Sequence, residues 1–344
     1  MPTQHFGDRL AAAVAARESQ IVLGIDPDPA RLWAPALERT SEARARLATG
    51  LAAADEAARE LLAAASPGPA SGHDGAPPAR PLSPRPPALE AAAAVLAHGL
   101  ALIDAAAPAC VAAKPQLACF ERLGFAGALA LEAVAAHARA AGLLVLADGK
   151  RGDVPVTAAA YAQALTGRTP SPFGAVDGLG VDALTANPLL GRDALEPLVT
   201  GARAAGAGVF VLVRTSNPGA ADLMDLPLAS GEPLWERLAG LAAELGEAGA
   251  AGLADVGAVT GATAPQHLQR MRELMPRTPF LLPGVGAQGG DVAALAPAFA
   301  PGRAAGLVTA SRSIAQAHEQ AGGDPAAAAR SEAERLRAVA WALA

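Results

Sequence analysis

Residues 143–153 read LLVLADGKRGD, an apolar run that ends in Asp148, Lys150 and Asp153. Alternation along a strand puts Leu144, Leu146, Asp148 and Lys150 on one face, pointing to one side of a sheet. Two other apolar runs end in the same manner, QIVLGID (20–26) in Asp26 and ACVAAK (109–114) in Lys114. Ammonium groups interleaved with carboxylates at one mouth can stabilise a developing negative charge and then hand it a proton. A structural ion-pair network uses the same residue types. Buried charges must be paired, however, and add little net stability, so several apolar strands each closing on an ionisable group point to a site. A lysine at a strand end can also form an imine with a carbonyl substrate, which leaves a Schiff-base aldolase open for Lys150.

A second signal lies in the last quarter. PGVGAQGG (283–290) has four glycines in eight residues, and TASRSI (309–314) follows soon after. Glycines let backbone N–H groups approach an anion. The helix start after Ser311 offers a partial positive end, and Arg312 adds a forked cationic donor. A glycine-rich turn alone is weak evidence, but beside Arg312 it indicates a phosphorylated ligand. The same segment is a candidate lid that closes over a bound ligand, with a rigid, amide-exposing turn as the competing reading.

These residues need a frame that brings strand ends together. Apolar runs rich in Val, Leu and Ile recur at 20–26, 109–114, 143–148, 178–185, 208–214, 252–259, 279–284 and 306–310. Each is followed by a longer Ala-rich segment of helical period, such as 125–141 and 234–249. Eight βα repeats predict an α/β fold, a (β/α)8 TIM barrel, with the site at the C-terminal ends of its strands. An open doubly wound sheet requires a GxGxxG turn after the first strand, and GIDPDPARL (24–32) is not one. The Pro/Gly-rich stretch 66–88 has no apolar periodicity and interrupts two helical patterns, 42–65 and 89–106. It predicts a mobile insertion loop within a single domain spanning 1–344.

Composition narrows the function classes. Lys and Arg total 27 against 33 Asp and Glu, a formal charge of −6, so no basic field exists to hold nucleic acid or an anionic membrane. The start lacks a cationic n-region followed by an apolar run, and the later apolar stretches are broken by Glu90, His98, Asp104 and Glu132. A cytoplasmic protein is expected. Cys110 and Cys119 have neither zinc nor redox spacing, and both are expected to be buried and inert. The six histidines form no HxH or HExxH pattern, so no metal and no cofactor are expected.

DGKRGD with the upstream KPQ (114–116), TSNPG (215–219), PGVGAQGG and the terminal SRS together resemble orotidine 5′-phosphate decarboxylase, in particular its longer bacterial type. The resemblance runs from Asp26 to Arg312. It implies that Lys114, Asp148, Lys150 and Asp153 form an alternating charged tetrad, with Asp153 reaching the site of a second subunit and Thr157 crossing with it. It further implies that Asp26 with Lys114 binds ribose hydroxyls and Ser216 the pyrimidine. Gln288 and Arg312 bind the phosphate, assisted by backbone groups around Gly286 and Ser311. The expected protein is thus a carboxy-lyase acting as a homodimer with shared active sites. Gly149 stands where the longer type has Ala, on the side of the strand facing away from the mouth. The 66–88 insertion is not part of the family pattern.

In that reaction, loss of CO2 from C6 of orotate leaves a carbanion outside the ring π system, and no cofactor motif supplies an electron sink. Charge must then be met locally, with Lys150 as proton donor to C6 and Lys114 holding the neighbouring carboxylates. Two other readings remain open. One is a Mg2+-dependent phosphosugar lyase or synthase on the same barrel, the other a non-catalytic nucleotide-binding homologue.

Overall fold

The structure is a computed structural model that describes residues 4–49, 86–286 and 289–343. The insertion 66–88 and Gln288 therefore lie outside the described residues, apart from 86–88. Those three open a helix and are not loop, because proline is tolerated in a first helical turn, where its missing N–H has no partner to lose.

The chain forms two compact units. The larger draws on Met1–Asp26, Leu102–Leu117 and Ala135–Ala344, the smaller on Pro27–Ala101 and Ala118–Val134. In the larger unit, eight parallel strands close into a barrel: β1 Ile21–Ile25, β2 Ala112–Pro115, β3 Leu144–Arg151, β4 Ala183–Ala186, β5 Gly208–Arg214, β6 Val256–Thr260, β7 Phe280–Leu282 and β8 Gly306–Ala310. Neighbours round the ring follow chain order, and β8 pairs with β1 through Ile21 with Val308 and Leu23 with Ala310. The strands are apolar throughout because both faces are covered, one by the barrel interior and one by helices. Every residue of β1, β5, β6 and β8 is buried.

Three strands start later than the apolar runs suggest: β2 at Ala112 and not 109, β4 at Ala183 and not 178, β6 at Val256 and not 252. Of the residues between, 109–111, 181–182 and 253–255 are buried ahead of their strands, whereas 178–180 and 252 are not. Ala107–Ala109 is a 3-10 turn. Hydrophobicity reports their burial and not their backbone pairing.

Helix α1 (Phe6–Arg17) packs against the N-terminal ends of the strands. Phe6, Leu10 and Val14 recur at every fourth residue and join a core cluster with Val22, Leu146, Phe210 and Leu307. The Phe6 and Phe210 rings meet edge to face at 6.0 Å. Charged pairs brace this end, with Arg9 bonded to Asp182 and Arg203 to Asp255. Arg272 is buried and has no carboxylate partner among the described residues. Its guanidinium donates to the carbonyls of Met275, Thr278, Ala298 and Ala305 and stacks on the Phe280 ring at 3.7 Å. Burial pulls its pKa down to about 10.

Helices follow most strands, among them α2 (Pro86–Ala106), α3 (Gly124–Ala140), α4 (Pro155–Leu165), α5 (Arg192–Ala204), α6 (Leu234–Leu245), α7 (Leu268–Leu274) and α8 (Pro325–Ala342). After β7 the connection is a 3-10 stretch, Val292–Phe299, interrupted by Pro297, which cannot donate into a regular helix. By length and composition the stretch Pro87–Ala109 is apolar enough to cross a membrane, yet 56% of its apolar window is buried inside the protein, as in a core helix.

In the smaller unit, the Trp33 backbone N–H donates to His98 Nδ1 at 3.2 Å, and the two rings meet edge to face at 5.1 Å. Arg122 donates to the Pro27 carbonyl and so ties down the segment that follows Asp26. Of the two cysteines, Cys110 is fully buried and burial drives its thiol up to about 12, whereas Cys119 is only partly covered.

Candidate active site

At the C-terminal mouth of the barrel lies a cavity of about 450 Å3 lined by residues from several strand ends. Asp26, Lys114, Asp148, Lys150, Ser216, Ser311 and Arg312 all face it. Seven of the eleven positions singled out from the sequence therefore meet in one place.

Asp148 is its electrostatic centre. Lys114 Nζ donates to Oδ2 at 2.6 Å, Lys150 Nζ to Oδ1 at 2.7 Å, Thr185 Oγ1 to Oδ1 at 2.9 Å and Gln116 Nε2 to Oδ2 at 3.3 Å. Burial alone would push this carboxyl up, but the two ammonium groups and their hydrogen bonds outweigh it and hold the pKa down at about 2. Lys114 is almost wholly enclosed, with 6% of its side chain exposed, whereas Lys150 is 44% exposed and free to reach into the cavity. Lys114 is thus an enclosed, fixed charge, whereas the Lys150 ammonium opens on the cavity.

Simple strand alternation does not by itself aim Lys150. The β3–β4 ladder pairs Ala147 with Leu184 and then Arg151 with Ala186, so Asp148, Gly149 and Lys150 stand against Thr185 alone. This bulge is absorbed at Lys150, whose φ of 46° is left-handed. For a residue with a Cβ that conformation costs about 1–2 kcal/mol. The backbone N–H of Lys150 donates to Thr185 Oγ1 at 2.9 Å.

Two glycines admit neighbouring site residues. A Cβ on Gly24 of β1 would lie 1.8 Å from Ser311 Oγ, and one on Gly261, just past β6, would lie 2.7 Å from Ser216 Cα. Only glycine leaves room for these close approaches. Ser216 is further held by Thr263, whose hydroxyl donates to its carbonyl at 3.0 Å.

The anion-binding end differs from expectation in one respect. The helix after Ser311 is a single turn, Arg312–Ala315, so its dipole is small, and the cationic contribution rests on Arg312 itself. Arg312 faces both the central cavity and a wider neighbouring one, which Gly286 also lines. Gly286 adopts φ 72°, and a Cβ there would come within 3.0 Å of Ser313 Cβ.

Asp153 and Thr157 do not line the cavity of their own chain. The Asp153 carboxylate accepts from the Val154 N–H at 2.7 Å, and Thr157 is partly covered on α4, between the exposed Val156 and the buried Ala158. Beside them Val154 is 54% and Val156 85% exposed. Thr185, Thr215, Asn217 and Thr309 line the cavity without having been singled out. For Thr185 and Thr309 the signal was present: each is a lone polar residue near the end of an apolar strand.

An eight-stranded parallel barrel with a charged mouth and a glycine-admitted anion end defines a barrel enzyme acting on a small phosphorylated substrate. A profile of the orotidine 5′-phosphate decarboxylase / HUMPS family matches residues 93–331, and the chain belongs to that family. It is 45% identical over 241 residues to the orotidine 5′-phosphate decarboxylase of Deinococcus radiodurans, covering 69% of this chain and 82% of that protein. To the enzyme of the same name from Haloarcula marismortui it is 39% identical over 318 residues, covering 92% and 89%. The structure of Leishmania donovani OMP decarboxylase superposes with a TM-score of 0.63 at 26% identity, covering 98% of this chain and 99% of that one.

Proposed function

We infer that this chain is a carboxy-lyase that converts orotidine 5′-phosphate to UMP and CO2 in pyrimidine biosynthesis, and that it does so with the charged cluster centred on Asp148. The observation that carries the reading is the Asp148 carboxylate gripped on opposite oxygens by Lys114 and Lys150 inside the cavity that Arg312 also enters. The phosphate binds against Arg312 and the backbone near Ser311 and Gly286. Asp26 and Lys114 receive ribose hydroxyls, and Ser216 meets the pyrimidine. This orientation sets C6 of the ring over the lysine and carboxylate pair.

As the C6–CO2 bond breaks, its electron pair stays on C6. The half-exposed Lys150 ammonium stabilises that charge and transfers a proton to C6, giving UMP, and then regains a proton from solvent. Lys114, enclosed and paired, keeps Asp148 ionised and in place throughout. Binding energy from the phosphate, remote from the reacting carbon, contributes to closing and drying the site. No cofactor takes part in these steps.

The fourth charge comes from a second copy. Asp153 does not line its own cavity and sits beside the exposed Val154 and Val156, and Leu189 and Leu190 after the neighbouring strand are also exposed, at 53% and 48%. Apolar side chains in that position favour burial against another subunit, which supports the reading that Asp153 and Thr157 enter the partner's site. The protein works as a cytoplasmic homodimer. The deciding assay follows UMP formation from orotidine 5′-phosphate with EDTA present. Turnover supports the reading, whereas binding of UMP without turnover identifies a non-catalytic homologue. Turnover of a phosphosugar that requires added Mg2+ identifies the lyase or synthase alternative.

A further inference from the structure

We propose that Thr185 is a positioning residue for the decarboxylation, acting through its hydroxyl on both Lys150 and Asp148. The inference rests on the proposed role of the Asp148 cluster and adds a residue to it. Thr185 is 1% exposed and sits alone opposite the three residues of the β3 bulge. A backbone N–H can only donate, so Thr185 Oγ1 accepts from Lys150 N. An ionised carboxylate can only accept, so the single hydroxyl proton goes to Asp148 Oδ1. Both directions are fixed by chemistry.

The two bonds act on different parts of the same device. The first holds Lys150 in the left-handed conformation that aims its side chain into the cavity, taking up an N–H that the interrupted β3–β4 ladder no longer pairs. The second loads Oδ1, the oxygen that also accepts Lys150 Nζ, and so fixes the rotation of the carboxylate between the two lysines. Apolar side chains of the same shape would fill the space and leave the N–H buried and unpartnered. A hydroxyl at this position, in a strand otherwise formed of Ala and Leu, is therefore explained by the reacting groups it holds and not by packing.

The test compares Thr185→Val, which keeps shape and loses the hydroxyl, with Thr185→Ser, which keeps the hydroxyl, using purified full-length enzyme. Steady-state kinetics with orotidine 5′-phosphate and UMP binding by calorimetry are the readouts. The valine variant should lose about 10- to 100-fold in kcat, as expected for a misplaced reacting group. Its KM and its UMP affinity should stay within about threefold of the parent, because the phosphate grip at Arg312 is separate. The serine variant should restore most of kcat. A valine variant with parental kcat overturns the inference, as does an equal loss in the serine variant or a loss carried wholly by KM. If the valine variant does not fold, Thr185→Cys, which offers only a weak donor, takes its place, and parental kcat there overturns the inference equally. Lys150→Ala is run in parallel. If it too retains activity, the Asp148-cluster mechanism fails, whereas if it is inactive while Thr185→Val is unimpaired, only the role of Thr185 fails.

Discussion

Asp148 and Lys150, two positions apart on β3, form an ion pair of 2.7 Å within a single strand. On a regular pleat residues i and i+2 of one face are two rises of about 3.3 Å apart, a gap that the long lysine side chain spans. Here it does so from a bulge with a left-handed backbone at Lys150. The consequences can be measured.

Lys150→Ala removes the group assigned to charge stabilisation and proton delivery. Its kcat should fall by at least about 100-fold, with the melting temperature close to that of the parent because Lys150 is half exposed. Near-parental turnover would remove Lys150 from the chemistry.

Arg312→Ala should act on binding. Loss of a charge-assisted contact to phosphate is expected to raise KM and lower kcat/KM by about 10- to 100-fold. Affinity for uridine, which has no phosphate, should stay the same. Equal effects on UMP and uridine would place Arg312 elsewhere.

Shared sites predict complementation. Mixed Lys150→Ala and Asp153→Ala chains each lack activity, yet a mixed dimer contains one complete site. Random reassociation should then recover about a quarter of parental activity, half of the dimers being mixed with one of two sites intact. No recovery in dimers shown to be mixed would assign each site to a single chain.

Asp148 also couples acidity to stability. Its folded pKa of about 2 lies below the ordinary 3.8, so the unfolded chain takes up the proton first as pH falls. The contribution is fully present above pH 3.8 and is lost as pH drops through about 2, amounting to about 2 kcal/mol. Urea melts of parent and Asp148→Asn at pH 5 and pH 2.5 test this: the parent should lose more stability between the two. Identical losses would mean that Asp148 does not carry the effect.

Gly149→Ala should keep activity within about twofold of the parent. A Cβ there would approach Leu117 Cδ1 at 2.7 Å and the Arg151 side chain at 3.2 Å, both flexible chain ends outside the central cavity. A large loss of kcat in this variant would show that the bulge needs glycine itself.

Much of this arrangement was legible because parallel strands buried on both faces leave continuous apolar runs, and an ionisable residue closing such a run is conspicuous. Asp26, Lys114 and Asp148 were found in that manner. The strand starts were not, since Leu253 and Val181 are as buried ahead of their strands as they would be in a ladder. The bulge at Lys150 was hidden because alternation predicts the correct face for the wrong reason. Thr185 was passed over because one hydroxyl in an apolar strand carries no charge, and its role exists only opposite a distortion that sequence patterning does not show. The single-turn helix after Ser311 could not be told from a longer one in a stretch so rich in alanine.

Gly24 carries a hydrogen where any other residue would press a carbon onto the Ser311 hydroxyl, at the seam where the last strand meets the first. The closing seam and the seat of the Ser311 side chain share that one missing methyl, so a larger residue at 24 should disturb both in the same movement. The wall of the barrel and the lining of its mouth cannot vary independently at that point.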